Sequence, residues 1–159
     1  MRIISGTARG TKLNTLEGLK TRPTLDRIKE SLFSIIQLKL PDSNILDLFA
    51  GSGALGIEAL SRGANKVVFC DSNYDAIKIV NQNLEKTRFL NNAKVLNTDY
   101  SKALEKLSDE KFDIVFLDPP YKTNFVESAI GKIIRLDLLS EQRNYNCRNR
   151  WRKSYRRGK

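Results

Sequence analysis

The sequence predicts an α/β fold, a parallel sheet with helices on both faces, and three observations carry that expectation. Short β-branched and apolar runs alternate with stretches of helical spacing from Asn44 onward, the pattern of consecutive strand–helix units. The first run leads into glycines at 51, 53 and 56, the spacing that turns a chain tightly from strand to helix. The last strong run ends at Asp118-Pro119-Pro120-Tyr121, where two prolines stop a strand. The 159 residues suit one domain around one core. No internal repeat or linker divides them.

The elements follow in order. Met1–Lys20 holds short strand-like pieces around Gly6, Gly10 and Gly18 and reads as a hairpin. Thr24–Leu40, after Pro23, sets Leu25, Ile28, Leu32, Ile35 and Ile36 on one helical face. Asn44–Phe49 is a first strand, and Ile57–Arg62 continues past the glycines with helical spacing. Lys66–Cys70 predicts a second strand, and Ala76, Ile77, Val80 and Leu84 mark the buried face of the helix after it. Ala93–Leu96 predicts a weaker third strand, and Lys102–Leu107 a short helix. Phe112–Leu117 predicts a buried fourth strand, and Phe125–Leu139 a helix.

Composition narrows the chemistry. With 40% apolar and 29% charged residues the chain reads as soluble and globular. No apolar run reaches the roughly 18 residues of a membrane span, and Met1 opens no secretory signal. Cys70 and Cys147 make no disulfide framework, so a reducing cytoplasm is the expected compartment. The chain has no histidine. That excludes Ser-His-Asp and Cys-His nucleophilic chemistry and any His-containing zinc site, and no metal is expected. The formal net charge of +10 points to a polyanionic partner, but it is unevenly spread. Residues 142–159 hold eight basic and no acidic residues, and residues 1–29 seven basic against two acidic. The body between them is mildly acidic.

Three motifs carry the chemistry. The glycine turn of Asp47-Leu48-Phe49-Ala50-Gly51-Ser52-Gly53-Ala54-Leu55-Gly56 lets a ligand approach backbone amides, a feature shared with dinucleotide enzymes. Asp71, twenty residues after Gly51, suits both hydroxyls of a ribose, and equally an N-cap beside Asn73. Asp47 decides between ligands. A carboxylate at the end of the first strand opposes a pyrophosphate but welcomes a cationic amino-acid moiety, which favours S-adenosylmethionine over a dinucleotide. Asp99, after the third strand, suits an adenine amino group, or is an ordinary loop residue. At Asp118-Pro119-Pro120-Tyr121, the Asp118 carboxylate and the Pro119 carbonyl can both accept from one exocyclic amino group, while Tyr121 offers a stacking face. Ahead of Leu25, the residues Arg2, Arg9, Lys12, Lys20 and Arg22 make the entry segment the natural phosphate-contacting surface, or a solvated basic hairpin.

These residues resemble the RsmD family, the bacterial 16S rRNA guanine-N2 methyltransferases. The segments RIISGTARGTKL and GLKTRPTLDRIKESLFSII are the specific part, and ILDLFAGSGALGIEALSRGA and FDIVFLDPPY are shared by many amino-methyltransferases. The resemblance implies a Rossmann-like class I S-adenosylmethionine-dependent fold with an N-terminal β-hairpin. It further implies methyl transfer to the N2 of one guanine in 16S rRNA, within the small ribosomal subunit or its late assembly precursor, by a cytoplasmic monomer. Residues 1–141 would form the methyltransferase domain, with 1–24 as its RNA-contacting extension. By position, Asp118, Pro119, Pro120 and Tyr121 would hold the target base. Asp47, Phe49, Ala50, Gly51, Ser52, Gly53, Asp71, Ser72, Asp99 and Tyr100 would hold the cofactor. An amino-methyltransferase for DNA adenine or protein glutamine, a dinucleotide-dependent oxidoreductase, and a non-catalytic RNA-binding module stand as alternatives.

The chain departs from the family after about Glu141. Where a buried fifth strand is expected, QRNYNCRNRWRKSYRRGK has no strand run. Read one base out of frame, any codons for Asn-Tyr-Asn-Cys specify Ile or Thr three times and then Val or Ala, a β-branched strand. The expectation is therefore a one-base shift near Glu141–Gln142. Residues 142–159 would then be an aberrant unfolded tail, the C-terminal strands missing, strand four an unpaired edge, and activity low. A genuine basic RNA-binding tail is the alternative.

Overall fold

A computed structural model describes residues 1–16, 23–120 and 124–141. Four parallel strands, β1 (Asn44–Asp47), β2 (Lys66–Asp71), β3 (Ala93–Asn97) and β4 (Ile114–Phe116), form one sheet in the order β3-β2-β1-β4. Among the described residues, five α-helices connect or flank them: α1 (Pro23–Ile36), α2 (Ala54–Ser61), α3 (Tyr74–Thr87), α4 (Tyr100–Lys106) and α5 (Phe125–Arg135). The two-residue alternation of a strand sorts the core into two layers. Ile45, Val67 and Phe69 face one side, packed with Phe33 of α1, Ile57 of α2 and Leu84 of α3. Leu46, Val68 and Cys70 face the other, packed with Leu104 of α4 and Ile133 of α5.

The strand order positions the site. From β1 the chain winds to β2 and β3 on one side, then returns to place β4 on the other. Strands that diverge in this way leave a crevice beyond their C-terminal ends, the usual ligand position in an open α/β sheet. Asp47 ends β1 in register with Phe69 of β2 and Phe116 of β4. Both the glycine turn and the Asp118 corner therefore leave the sheet at that crevice.

Residues 1–13 form the expected hairpin around an antiparallel bridge from Arg2 to Lys12. The Ile3 N–H donates to the Thr11 carbonyl at 3.0 Å, and the Leu13 N–H to that of Met1 at 2.8 Å. Ile3 and Leu13 are buried and join the layer over α1–α3.

Two expectations need correcting. The final helix stops at Arg135, not Leu139, because Asp137 takes a left-handed backbone, φ 54°. That conformation ends a helix. Leu139 instead bridges Phe112 in parallel; the Phe112 N–H donates to the Leu138 carbonyl at 2.8 Å and the Ser140 N–H to the Phe112 carbonyl at 2.9 Å. The segment leading into β4 is thus paired at its outer side at Phe112, while Ile114–Phe116 stand at the edge of the sheet and pair with β1 alone among the described residues. The first helix is also shorter than Thr24–Leu40: it ends at Ile36, and Gln37–Lys39 tightens into a 3₁₀ turn. The expected tail, 142–159, lies outside the described residues.

Candidate active site

The glycine turn is built by backbone conformation. Gly51 and Gly53 both sit in the left-handed region, at φ 57° and 81°, which a side chain would strain. A Cβ at Gly53 would also meet Ile57 at 3.3 Å. The turn is braced from both sides. The Ala50 N–H donates to the Cys70 carbonyl at 2.9 Å, and the Gly51 N–H to Asp71 Oδ2 at 2.9 Å. Asp71 Oδ1 accepts from the Asn73 N–H at 2.8 Å. Asn73, not Asp71, caps α3, accepting from the Asp75 N–H at 2.9 Å. The half-buried Asp71 therefore ties the turn to the end of β2, a role the sequence did not disclose, and keeps its carboxylate at the crevice.

Asp47 is 2% exposed, and its Oδ2 accepts from the Gly56 N–H at 3.2 Å. Burial pushes its carboxyl up to about 7, against the pull of the Gly56 N–H, and the negative charges of Asp118 and Asp71 push it further. Neighbouring Cys70 responds to the same field. Burial, then the charges of Asp71, Asp99 and Asp47, push its thiol up to about 12, and its Sγ donates to the Thr98 carbonyl at 3.3 Å. Four carboxylates therefore converge on the C-terminal ends of the strands. A pyrophosphate would be repelled there, whereas a sulfonium and an α-ammonium would be attracted. The residues fit S-adenosylmethionine: carboxylates for its cations, Asp71 for its ribose, and a glycine turn that admits close backbone approach.

Asp99 caps α4, accepting from the Lys102 N–H at 3.0 Å, with Lys102 Nζ at 3.8 Å. That hydrogen bond and the Lys102 charge hold its carboxyl below the usual range. Tyr100 opens α4 and meets Phe49 at a ring separation of 5.5 Å. Phe125 completes a trio, 5.0 Å from Tyr100 and stacked on Phe49 at 6.0 Å. Nothing in the sequence marks Phe125, because its partners lie 25 and 76 positions upstream. Ser52 is half-buried within the turn and Ser72 is exposed beyond β2.

Asp118 and Pro120 are exposed and Pro119 half-buried where the chain leaves β4, with the Leu48 N–H donating to the Phe116 carbonyl at 3.2 Å. Among the expected RNA contacts, Arg2, Arg9 and Lys12 are exposed on the hairpin. Tyr121, Lys20 and Arg22 lie outside the described residues.

Comparison with known proteins agrees with this geometry. The model of the family described as conserved hypothetical protein 95 matches residues 1–156. A Bacillus subtilis protein, YlbH, provisionally described as an rRNA methyltransferase, is 41% identical over 89% of this chain and 78% of its own length. Ribosomal RNA small subunit methyltransferase D of Haemophilus influenzae is 38% identical over 96% of this chain and 74% of its own. A solved Escherichia coli chain, provisionally described as the methyltransferase yhhF, superposes with a TM-score of 0.78 at 32% identity, covering 89% of this chain and 75% of that one. An acidic crevice behind a glycine turn, on a fold and sequence shared with these proteins, makes this chain a methyltransferase of the conserved hypothetical protein 95, or RsmD, family.

Proposed function

We propose that this chain methylates the exocyclic N2 of a guanine in the 16S rRNA of the small ribosomal subunit or its late assembly precursor, as a cytoplasmic monomer. The observation that supports it is the Asp118-Pro119-Pro120 corner, which leaves β4 beside Asp47 and the glycine turn at a single crevice. The exocyclic amino nitrogen of guanine is a poor nucleophile, because its lone pair is delocalised into the ring. The Asp118 carboxylate and the Pro119 carbonyl, each accepting one of its protons, favour a localised lone pair. The two prolines hold those acceptors stiffly, which fixes the direction of attack. S-adenosylmethionine, when bound, supplies a methyl carbon made electrophilic by its sulfonium. To present its amino group to both acceptors, the guanine has to be exposed or flipped out of its stack.

Transfer of a tritiated methyl group to 30S particles, followed by mapping of the labelled base, tests the proposal. Label at N2 of one guanine is expected; label on another base, on protein or on DNA alone overturns it. Asp118→Ala is expected to lower transfer by about 10²–10³-fold while titration calorimetry shows cofactor binding retained. Undiminished transfer removes Asp118 from the mechanism.

The reading extends to residues 142–159, which we assign to a one-base shift after Glu141, with low activity as the consequence. The parallel bridge of Leu139 to Phe112 supports it, because the chain pairs beside the strand-four segment just before a stretch that has no strand-forming run. Genomic sequencing across Glu141–Gln142 checks this; an intact frame encoding the basic segment, together with homologous basic tails in related chains, overturns it.

A further inference from the structure

The hairpin that carries Arg2, Arg9 and Lys12 is only about a dozen residues long, and a two-stranded ribbon of that size is marginal by itself. Ile3 and Leu13 bury apolar surface, but apolar contact is non-directional and does not fix an orientation. Orientation comes from buried polar side chains: Glu58 and Ser61 on α2, Lys29 on α1 and Asn83 on α3.

On α2, Glu58 is fully buried. Its carboxylate accepts from the Ile4 N–H at 3.0 Å and the Ser5 N–H at 3.1 Å. It is neutralised by Lys29 Nζ at 3.0 Å and Arg62 Nε at 2.9 Å. Lys29, itself 4% exposed, donates onward to the Arg2 carbonyl at 3.1 Å. One turn on, Ser61 Oγ donates to the Ser5 carbonyl at 2.6 Å and accepts from the Ala8 N–H at 3.0 Å. The fit leaves no spare room: a Cβ on Gly6 would lie 1.8 Å from the Ser61 carbonyl oxygen, and Gly6 holds φ 90°.

On α3, Asn83 is also fully buried. Its Oδ1 accepts from the Asn14 N–H at 2.8 Å, and its Nδ2 donates to the Asn14 carbonyl at 3.0 Å. The same Nδ2 donates to the Ser52 carbonyl at 2.9 Å. Ser52 lies between the two left-handed glycines, so this bond orients a peptide of the cofactor turn. A single amide thus holds the second arm of the hairpin and the turn together.

We infer that Glu58 and Asn83 are positioning residues that fix the basic N-terminal arm relative to the cofactor turn, Glu58 gripping the arm alone and Asn83 gripping arm and turn at once. Neither touches substrate or cofactor. Their part is to set where the exposed cations meet the RNA backbone relative to the methyl donor. The inference rests on the proposed RNA substrate, but the clamp is separable from it.

Three variants test it: Glu58→Gln, Gly6→Ala, which disturbs the seat without removing a charge, and Asn83→Ala. Binding to 30S particles is measured over a salt series, cofactor affinity by calorimetry, and backbone protection by hydrogen exchange. Glu58→Gln and Gly6→Ala are expected to raise KM for the particle about tenfold with kcat and cofactor Kd unchanged. The slope of log affinity against log salt should shrink by about 0.9 for each phosphate the displaced arm no longer reaches. A merely destabilised protein would keep that slope. Asn83→Ala is expected to weaken particle and cofactor binding together. Unchanged particle affinity and salt slope in folded Glu58→Gln and Gly6→Ala overturn the inference, as does an Asn83→Ala chain with normal cofactor affinity. If a chain with its reading frame restored after Glu141 methylates no ribosomal particle, the proposed function fails instead. Exchange at Ile4, Ser5, Ala8 and Asn14 still reports the clamp in that case: faster exchange in the variants upholds it, and unchanged exchange overturns it.

Discussion

The two flanks of the sheet are finished to different degrees. On the β2–β3 flank, β1 and β2 are buried between two helical layers, and the cofactor turn is braced by Asp71, Cys70 and Asn83. On the β4 flank, β4 spans only Ile114–Phe116, and Leu138–Ser140 supply a single bridge beside Phe112. Nearby, α1 turns Ile28 and Ile35 to solvent at 60% and 80% exposure, and Leu38 follows at 91%. The contrast separates two tasks. The half with the glycine turn is held by local, mutually satisfied contacts, whereas the half that carries Asp118 is the less enclosed.

Four measurements can break or sharpen that contrast. Leu46→Ala, at the centre of β1, should cost about 3–5 kcal/mol of stability, and Val115→Ala on β4 clearly less, read by denaturant unfolding. Equal costs would erase the distinction between flanks.

Asp47 gives the next largest effect. Its folded carboxyl lies near 7 against an ordinary 3.8, so the folded state holds a proton that the unfolded state releases. Stability conferred by that protonated form is complete below the ordinary value and is lost as pH rises through 7, a decline on the order of 4 kcal/mol in the free protein. Thermal unfolding of wild type and Asp47→Asn at pH 5 and pH 8 checks this: the loss at pH 8 should vanish in the variant. A cationic ligand should reverse the sense and bind more tightly above pH 7.

Asn73→Ala, which removes the cap of α3 beside the site, should cost about 1 kcal/mol. Smallest is Ile35→Lys, expected within about 0.5 kcal/mol of wild type by denaturant unfolding, because its side chain already faces water. A large loss there would mean that α1 is covered.

Most elements were legible in the sequence because periodicity reports burial directly. The strands at Asn44, Lys66 and Ala93 fall within a residue or two of their expected ends, and Ala76, Ile77, Val80 and Leu84 are buried on α3 as their spacing predicts. The end of α5 was not legible, because Leu136, Leu138 and Leu139 continue an apolar pattern and only the left-handed Asp137 breaks it. At the site, Asp47 and the glycines could be read from chemistry and spacing. The brace by Asp71 could not, since a carboxylate after a strand looks the same whether it holds a turn or caps a helix. Glu58 and Asn83 were hidden for another reason. A polar residue within a helix reads as a solvated one, and the backbone that buries these two lies more than 50 positions away.

Cys70 carries a last consequence. A thiol held near 12, buried in β2 and bonded to Thr98, is almost entirely protonated at neutral pH and shielded from reagents. It becomes reactive only when β2 parts from its neighbours. In a Cys147→Ser chain, its alkylation rate is therefore a clock for openings of the half with the glycine turn, and a bound methyl donor should slow that clock in proportion to its affinity.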